Sequence, residues 1–321
     1  MKQTLCAFVR THAGERPDKF PVEQVVKQPE EIQAAFEVLG GLDPAGKPLD
    51  FRGANLHGIA CGHGAVLNGA LFNKANLSEA RLERAQLNNA QLEDAILADA
   101  HLEGAHLNYA NLMGAHLERA TLNGAHLNEA HLEAAHLEGA FLQGTELRDA
   151  ILEEARFAQA FLDGEKLKEA RLEGARLSNA TILNCHFEGA HLENARFCSA
   201  HFAPAHFEGA CLSGTRFDDA HLREANFRGA ELTYTNFEGA ELQGADFEGT
   251  RIEMARLRGA FYDRKHTVFP EEFDPVLHGM IEVDKNGKPV PTVPPAAGID
   301  PIVGPDAEPA QPAKPLPDKE A

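Results

Sequence analysis

The sequence predicts an all-β solenoid of about ten 20-residue coils, and three observations carry that prediction. From Ala65 to Arg264 one five-residue unit recurs forty times without an insertion: a small residue, any residue, a large apolar residue, then two mostly polar ones. The central residue is Leu, Phe, Ile or Tyr at every fifth position from Leu67 to Tyr262, and two positions before it stands Ala except at Thr145, Glu165, Cys185, Thr215, Thr235 and Thr250. Phe recurs at central positions separated by multiples of twenty, at Phe187, Phe207, Phe227 and Phe247 in one series and at Phe157, Phe197, Phe217 and Phe237 in another offset by ten.

A period of five matches neither the 3.6 of a helix nor the 2 of a flat strand. On a helix, apolar residues five apart advance by about 140° per step and form no stripe. A short extended segment followed by a corner accommodates them. With the apolar centre called i, positions i−2 and i point inward, i−1 points outward, and i+1 with i+2 turn the corner. Gly at many i+2 positions, such as Gly104, Gly114, Gly124 and Gly139, suits a corner of unusual φ. The twenty-residue Phe series implies four units per coil, with Phe on two opposite faces and aliphatic residues such as Leu192, Leu212, Leu222, Leu232 and Leu242 on the other two; Phe202 departs from this. Ten coils at the inter-strand spacing give a rod roughly 48 Å long.

Residues 1–48 read as a small helical N-terminal cap. Gln3 to His12 form a candidate short helix, and Pro29 to Leu39 a clearer one, with Ile32, Phe36 and Leu39 on one face and Gly40-Gly41 as the stop. A solenoid end exposes unpaired backbone, so a cap is physically required. The β-helix itself spans 49–264; its first units, around Phe51 and Leu56, are in phase with each other, and one extra residue within Ile59–Gly64 shifts the register. Residues 265–284 read as a closing segment in which Val268, Phe269 and Phe273 cover the last coil. From 285 to 321 the chain is rich in Pro, Ala, Asp and Lys without aromatic residues and reads as a disordered tail.

The A-x-L/F-x-x array resembles the pentapeptide-repeat family, and the resemblance implies a right-handed quadrilateral β-helix. The segment before the repeats resembles that of a bacterial subgroup whose members carry a membrane anchor further upstream, which this sequence does not contain. Thr267 to Pro275 resembles a closing segment that follows such repeats.

Composition narrows the function. A net charge of −19 opposes direct nucleic-acid or anionic-membrane binding. No window approaches eighteen consecutive apolar residues, and Met1 to Leu5 do not begin a signal peptide. Cys6, Cys61, Cys185, Cys198 and Cys211 are scattered and odd in number, which suits reduced thiols in a cytoplasmic protein.

The outward columns hold the candidate sites. Arg156, Arg176, Arg196 and Arg216 share one column, with Arg256 two coils on. They form either a basic stripe for an acidic partner or, with Glu133, Glu153, Glu173 and Glu193 across the corner, two mutually neutralising ladders. Phe141, Ile151 and Phe161 are apolar at outward positions and form a candidate contact patch. Eleven His occupy outward positions, and the spacing stacks His106 over His126, His116 over His136, His186 over His206 and His201 over His221. Such pairs suggest zinc, yet the pattern fixes no third ligand and i−1 is the tolerant solvent position, so no metal or cofactor is expected; a pH-sensitive surface near pH 6.5 is the milder reading. Glu165 is the one charged residue at an inward site and must be paired, protonated or turned outward.

Three classes of function follow. One is a non-enzymatic protein-binding or scaffold module presenting a rigid acidic rod to an unknown protein partner, with a homodimer as an option. The second is DNA mimicry directed at DNA gyrase, as the resemblance implies for some members. A rod near 48 Å then needs almost thirty exposed negative charges at one per about 1.7 Å, whereas the array has 31 acidic against 18 basic residues. The third, an enzyme, has no phosphate loop, metal cluster or triad spacing behind it, and catalytic residues are expected to be absent.

Overall fold

The computed structural model describes residues 48–62, 64–164 and 167–290, together with Val9 and Ala34. The expected helices of the first 48 residues otherwise lie outside the described residues, as do Glu165 and everything after Val290. Val9 is helical and buried in the core.

Most described units of the array build the same local structure. The outward residue forms a parallel bridge to the residue one coil on; Gln86, for example, donates its N–H to the Ala65 carbonyl and accepts from Leu67 N–H. The chain then turns, and the turn closes by a hydrogen bond such as Ala70 N–H to Leu67 O at 3.1 Å. The third turn residue takes positive φ, as a type II turn requires. Gly supplies it at Gly69, but Asn89, Asp99, Tyr109 and Ala134 adopt it too, at φ between 55° and 60°. The fold therefore imposes this conformation on whatever residue stands there. Pro204 cannot comply, because its ring fixes φ near −65°. There the chain stays extended in β3 (His201–His206), which pairs in parallel with β2 (Thr181–His186), itself paired with β1 (Phe161–Asp163).

Parallel bridges from Val66–Gln86 to Glu241–Phe261 join residues twenty apart, in four columns per coil, and Asp246–Val268 joins residues twenty-two apart. Ahead of Val66 the bridged pairs Asp50–Leu71, Asn55–Asn76 and Ala60–Arg81 are twenty-one apart, which places the extra residue in the Ile59–Gly64 segment. The inward Ala and Leu side chains are almost wholly buried. The two Phe series stack along the interior: Phe187, Phe207, Phe227 and Phe247 at 5.0 Å centroid spacing, and Phe197, Phe217 and Phe237 at 5.1 and 5.2 Å. The two stacks meet edge to face, as at Phe207 and Phe217. Phe202 leans on Phe197 at 5.4 Å. Each exceptional Thr donates its hydroxyl to a backbone carbonyl, so a polar atom enters the interior without an unmet partner.

At the C-terminal side Phe269 extends the Phe247 stack at 5.9 Å and Phe273 packs on it at 5.1 Å. Val268 corrects the expectation: it pairs with Asp246 at an outward position and stays 43% exposed, so it covers nothing. Met280 and Val283 are buried instead, around β5 (Ile281–Glu282), which pairs with β4 (Phe261–Tyr262). The ordered chain also runs past residue 284. Asp284 accepts hydrogen bonds from the backbone of Asn286 and Lys288, and Val283 bridges Pro289. Among the described residues no helix is long and apolar enough to cross a membrane.

Candidate functional site

With the interior filled, chemistry is confined to the outward columns. One geometric rule organises them. The side chain at i−1 meets the side chain at i+1 of its own unit, two residues on, because both leave the same face of the coil. Arg81 pairs with Glu83 at 3.3 Å, Arg171 with Glu173 at 3.3 Å, Arg216 with Asp218 at 3.1 Å, His116 with Glu118 at 3.0 Å and His186 with Glu188 at 2.9 Å. The sequence signal for this rule is the His-x-Glu and Arg-x-Glu spacing, which links a residue to its own unit rather than across the corner.

The rule overturns the neutralising-ladder expectation for the arginines. Glu153 and Glu173 both pair with Arg171, Glu133 with His131 and Glu193 with His191, all within their own column. None reaches Arg156, Arg176, Arg196 or Arg216. Those four are exposed and linked by successive parallel bridges. Only Arg216 has an acid two residues on. At Arg156, Arg176 and Arg196 that position holds Ala158, Ser178 and Cys198, and among the described residues these three arginines form no ion pair. Beyond Arg216 the column continues through Asn236 to Arg256, beside an open hollow of about 510 Å³ lined by Arg216, Asp218, Tyr234, Asn236 and Arg256 among others. Burial pushes the Asp218 carboxyl up, but hydrogen bonds from Arg216 and the backbone, with the charge of Arg216, hold it below the ordinary range. Burial, then the charge of Asp218, pushes the Cys198 thiol up.

The apolar patch does not assemble. Phe141 and Phe161 are neighbours by a backbone bridge, and Phe141 is 46% exposed. Ile151 lies ten residues from each, half a coil away, in the column of His131 and Arg171. Ten residues is two units of a four-unit coil, so the three cannot share a face.

The four His pairs stack as the spacing implies, with ring centroids 4.9 Å apart for His106 and His126, 4.5 Å for His116 and His136, 4.8 Å for His186 and His206, and 4.2 Å for His201 and His221. The expectation that no third ligand accompanies them does not hold at two pairs. Glu118 lies with His116 and His136, and Glu188 and Glu208 lie with His206, each set placing its ligand atoms within 4.8 Å of one another. His191, Glu193 and Cys211 form a third set. A run of asparagines also escaped the sequence reading: the side-chain carbonyls of Asn68, Asn88, Asn108 and Asn128 each accept the backbone N–H one coil on, ending at Arg148.

A coil of bridged five-residue units with a closed-packed apolar interior and decorated outer columns defines a pentapeptide β-solenoid. Family models agree: one described as a pentapeptide repeat region matches residues 63–132 and 180–257, and one described as pentapeptide repeats in eight copies matches 125–164. The chain belongs to the pentapeptide-repeat family. No curated protein matches it. Among solved structures it is similar to HetL, a pentapeptide repeat protein involved in heterocyst differentiation regulation from the cyanobacterium Nostoc sp. strain PCC 7120, at 33% identity over 64% of this chain and 88% of that one, TM-score 0.45. It is similar also to trypsin-treated QnrB1, a plasmid-mediated fluoroquinolone resistance protein, at 18% identity over 58% and 91%, TM-score 0.44. Rfr23 from the cyanobacterium Cyanothece 51142 follows at 23% identity over 42% and 63%, TM-score 0.17.

Proposed function

We propose that this chain is a non-enzymatic cytoplasmic binding module, a right-handed quadrilateral β-helix that presents the Arg156, Arg176 and Arg196 column to an acidic segment of a protein partner. Residues 1–48 cap one end, the segment from 265 to Val290 closes the other, and the remaining residues form a tail. One observation carries the reading: three exposed arginines stand one strand spacing apart with no ion pair among the described residues, while Arg81, Arg171 and Arg216 each pair with an acid two residues on. Like charges about 4.8 Å apart repel by roughly 1 kcal/mol in water. The column therefore does nothing for the fold that a neutral residue would not do better, and an acidic ligand would relieve it. Ala158, Ser178 and Cys198 beside it are small and leave room for one.

The experiment compares partner capture by the wild-type chain and by the Arg156→Glu/Arg176→Glu/Arg196→Glu variant at two salt concentrations. A partner held by the wild type, released by salt and lost from the variant supports the reading. Equal capture by both removes the arginine column from it. Inhibition of DNA gyrase supercoiling at micromolar protein, unchanged by the reversal, would replace it with DNA mimicry.

A further inference from the structure

We infer that two repeated surface sites, His116–Glu118–His136 and Glu188–His206–Glu208, bind a borderline divalent transition-metal ion of the Zn2+ class.

The argument begins with the sequence unit. A His-x-Glu tripeptide puts an imidazole at i−1 and a carboxylate at i+1 of the same unit, and these two side chains meet on one face. A second His twenty residues on stacks directly above the first. Two His-x-Glu tripeptides on consecutive coils therefore bring three ligand atoms within 4.8 Å of one another, those of His116, Glu118 and His136 in one case and of Glu188, His206 and Glu208 in the other. The described chain does this twice, at 116–118 with 136–138 and at 186–188 with 206–208. The other stacked pairs lack it, since His106 and His126 are followed by Asn108 and Asn128, and His201 and His221 by Ala203 and Arg223.

The distances suit a small four-coordinate ion. Zinc–nitrogen and zinc–oxygen bonds of about 2.0–2.1 Å at tetrahedral angles separate ligand atoms by roughly 3.3 Å. Glu118 Oε1 lies 3.0 Å from His116 Nδ1 and 3.8 Å from His136 Nδ1. In the second site His186 Nδ1 is 2.9 Å from Glu188 Oε1 and His206 Nδ1 is 3.3 Å from Glu208 Oε1. Glu138 Oε2 and Glu208 Oε2 are buried without a hydrogen-bond partner, so each site has carboxylate oxygen to spare. An open hollow of about 320 Å³, lined by Ile96, Ala98, His116, Glu118 and Arg119, gives an ion and its water access to the first site. Two imidazoles with one carboxylate at the first site, and one imidazole with two carboxylates at the second, form nitrogen and oxygen sets that favour Zn2+ over the hard, all-oxygen preference of Ca2+ or Mg2+. The backbone is already fixed by the coil bridges on either side, so binding orders only side chains.

The test uses the full 321-residue chain without an affinity tag, titrated with Zn2+ by calorimetry at neutral pH, with Co2+ absorption as a second readout of four-coordinate geometry. Two ions per chain with the visible bands of tetrahedral Co2+ are expected. His136→Asn should remove one, His206→Asn the other, and Glu118→Gln should weaken the first site at least roughly tenfold while leaving the outward surface neutral. The His201→Asn/His221→Asn variant, which breaks a stacked pair without carboxylate neighbours at i+1, should keep both ions. All these positions face solvent, and unchanged circular dichroism of each apo variant checks the fold. The inference is overturned if the wild type binds no Zn2+, if the His136→Asn/His206→Asn chain keeps its stoichiometry, or if the control variant loses as much as the others.

Discussion

The hydroxyl of Thr215 donates a hydrogen bond of 2.6 Å to the carbonyl oxygen of Leu192, on the preceding coil, inside the core. Thr145 does the same to Leu122 at 3.0 Å and Thr235 to Leu212 at 2.8 Å. The Leu192 carbonyl also accepts the Ala195 N–H at 3.0 Å, so deleting the hydroxyl orphans nothing. Thr215→Ala should therefore lower stability by only about 0.5–1.5 kcal/mol, measured by urea unfolding. Ala is the usual residue at this position, and the site accepts its volume. A loss above ~3 kcal/mol would mean that the threonines organise the coil rather than merely fit into it.

Phe207 is the residue on which the interior most depends. It stacks on Phe187 and Phe227 at 5.0 Å each and meets Phe217 edge to face at 5.6 Å. Phe207→Ala opens a cavity between coils that cannot collapse, since their spacing is set by backbone bridges on every face. A loss of about 3–5 kcal/mol is expected, together with separated unfolding of the coils on either side, because a solenoid is coupled only through neighbouring repeats. Phe207→Leu, which places the aliphatic residue of the other faces there, should lose less than half as much. Equal losses for both variants would show that volume alone does not govern the stack.

The period, the inward positions, the four-unit coil and the stacking of Phe and His were legible because backbone geometry repeats them, and repetition averages out local exceptions. The pairing of outward side chains was legible only as the bare His-x-Glu and Arg-x-Glu spacing, which does not by itself say that the two side chains meet. By sequence Glu173 neighbours the arginine column across the corner, whereas in the structure it pairs with Arg171. Sequence distance within a coil does not reveal which neighbours leave the same face until the corner is known. Ile151 was misplaced for the same reason. By composition Lys285 to Val290 read as tail, yet the Asp284 turn and the Val283–Pro289 bridge hold them.

Ala134 takes φ of +55° at a corner where many units carry Gly. Left-handed backbone costs an ordinary L-residue roughly 1–2 kcal/mol, while Gly loses about 0.5–1 kcal/mol more backbone entropy than Ala on folding. The strain outweighs the entropy, so Ala134→Gly should raise Tm slightly, by calorimetry. The reverse change, Gly139→Ala at φ +69°, should lower it. A drop in Tm for Ala134→Gly would show that the corner does not strain its residue.

Acid should weaken the fold through carboxylates held below their usual range. Burial pushes the Glu188 carboxyl up, but the hydrogen bond from His186, the backbone and the charges of His186 and His206 together bring it down, and Asp218 is lowered by Arg216 in the same way. A carboxylate whose folded pKa is depressed contributes stability above its unfolded pKa, about 3.9 for Asp and 4.3 for Glu, and that contribution disappears as pH falls through the lower folded value. Wild-type stability should thus be insensitive to these groups near neutrality and fall below about pH 4. Asp218→Asn should be less stable than wild type at pH 7 and close to it at about pH 2.5. A gap between the two that is the same at both pH values would show that Asp218 acts through shape rather than charge.

Arg176 lies between Arg156 and Arg196 in the bridge ladder, exposed and without an acid two residues on. Its two like-charged neighbours repel it by roughly 1 kcal/mol each before salt screening, and the exposed position screens most of that. Arg176→Gln keeps a polar, though shorter, side chain and removes the charge, so stability should be unchanged or rise by up to about 1 kcal/mol at low salt, with the gain fading as salt is added. Its aliphatic stem is the one competing contribution, since an arginine can cover apolar surface with its methylenes. The glutamine retains two of those methylenes and isolates the charge. A loss above ~1 kcal/mol that salt does not alter would show that Arg176 serves the packing of the coil, and would leave the arginine column without the unused charge on which acidic-partner recognition depends.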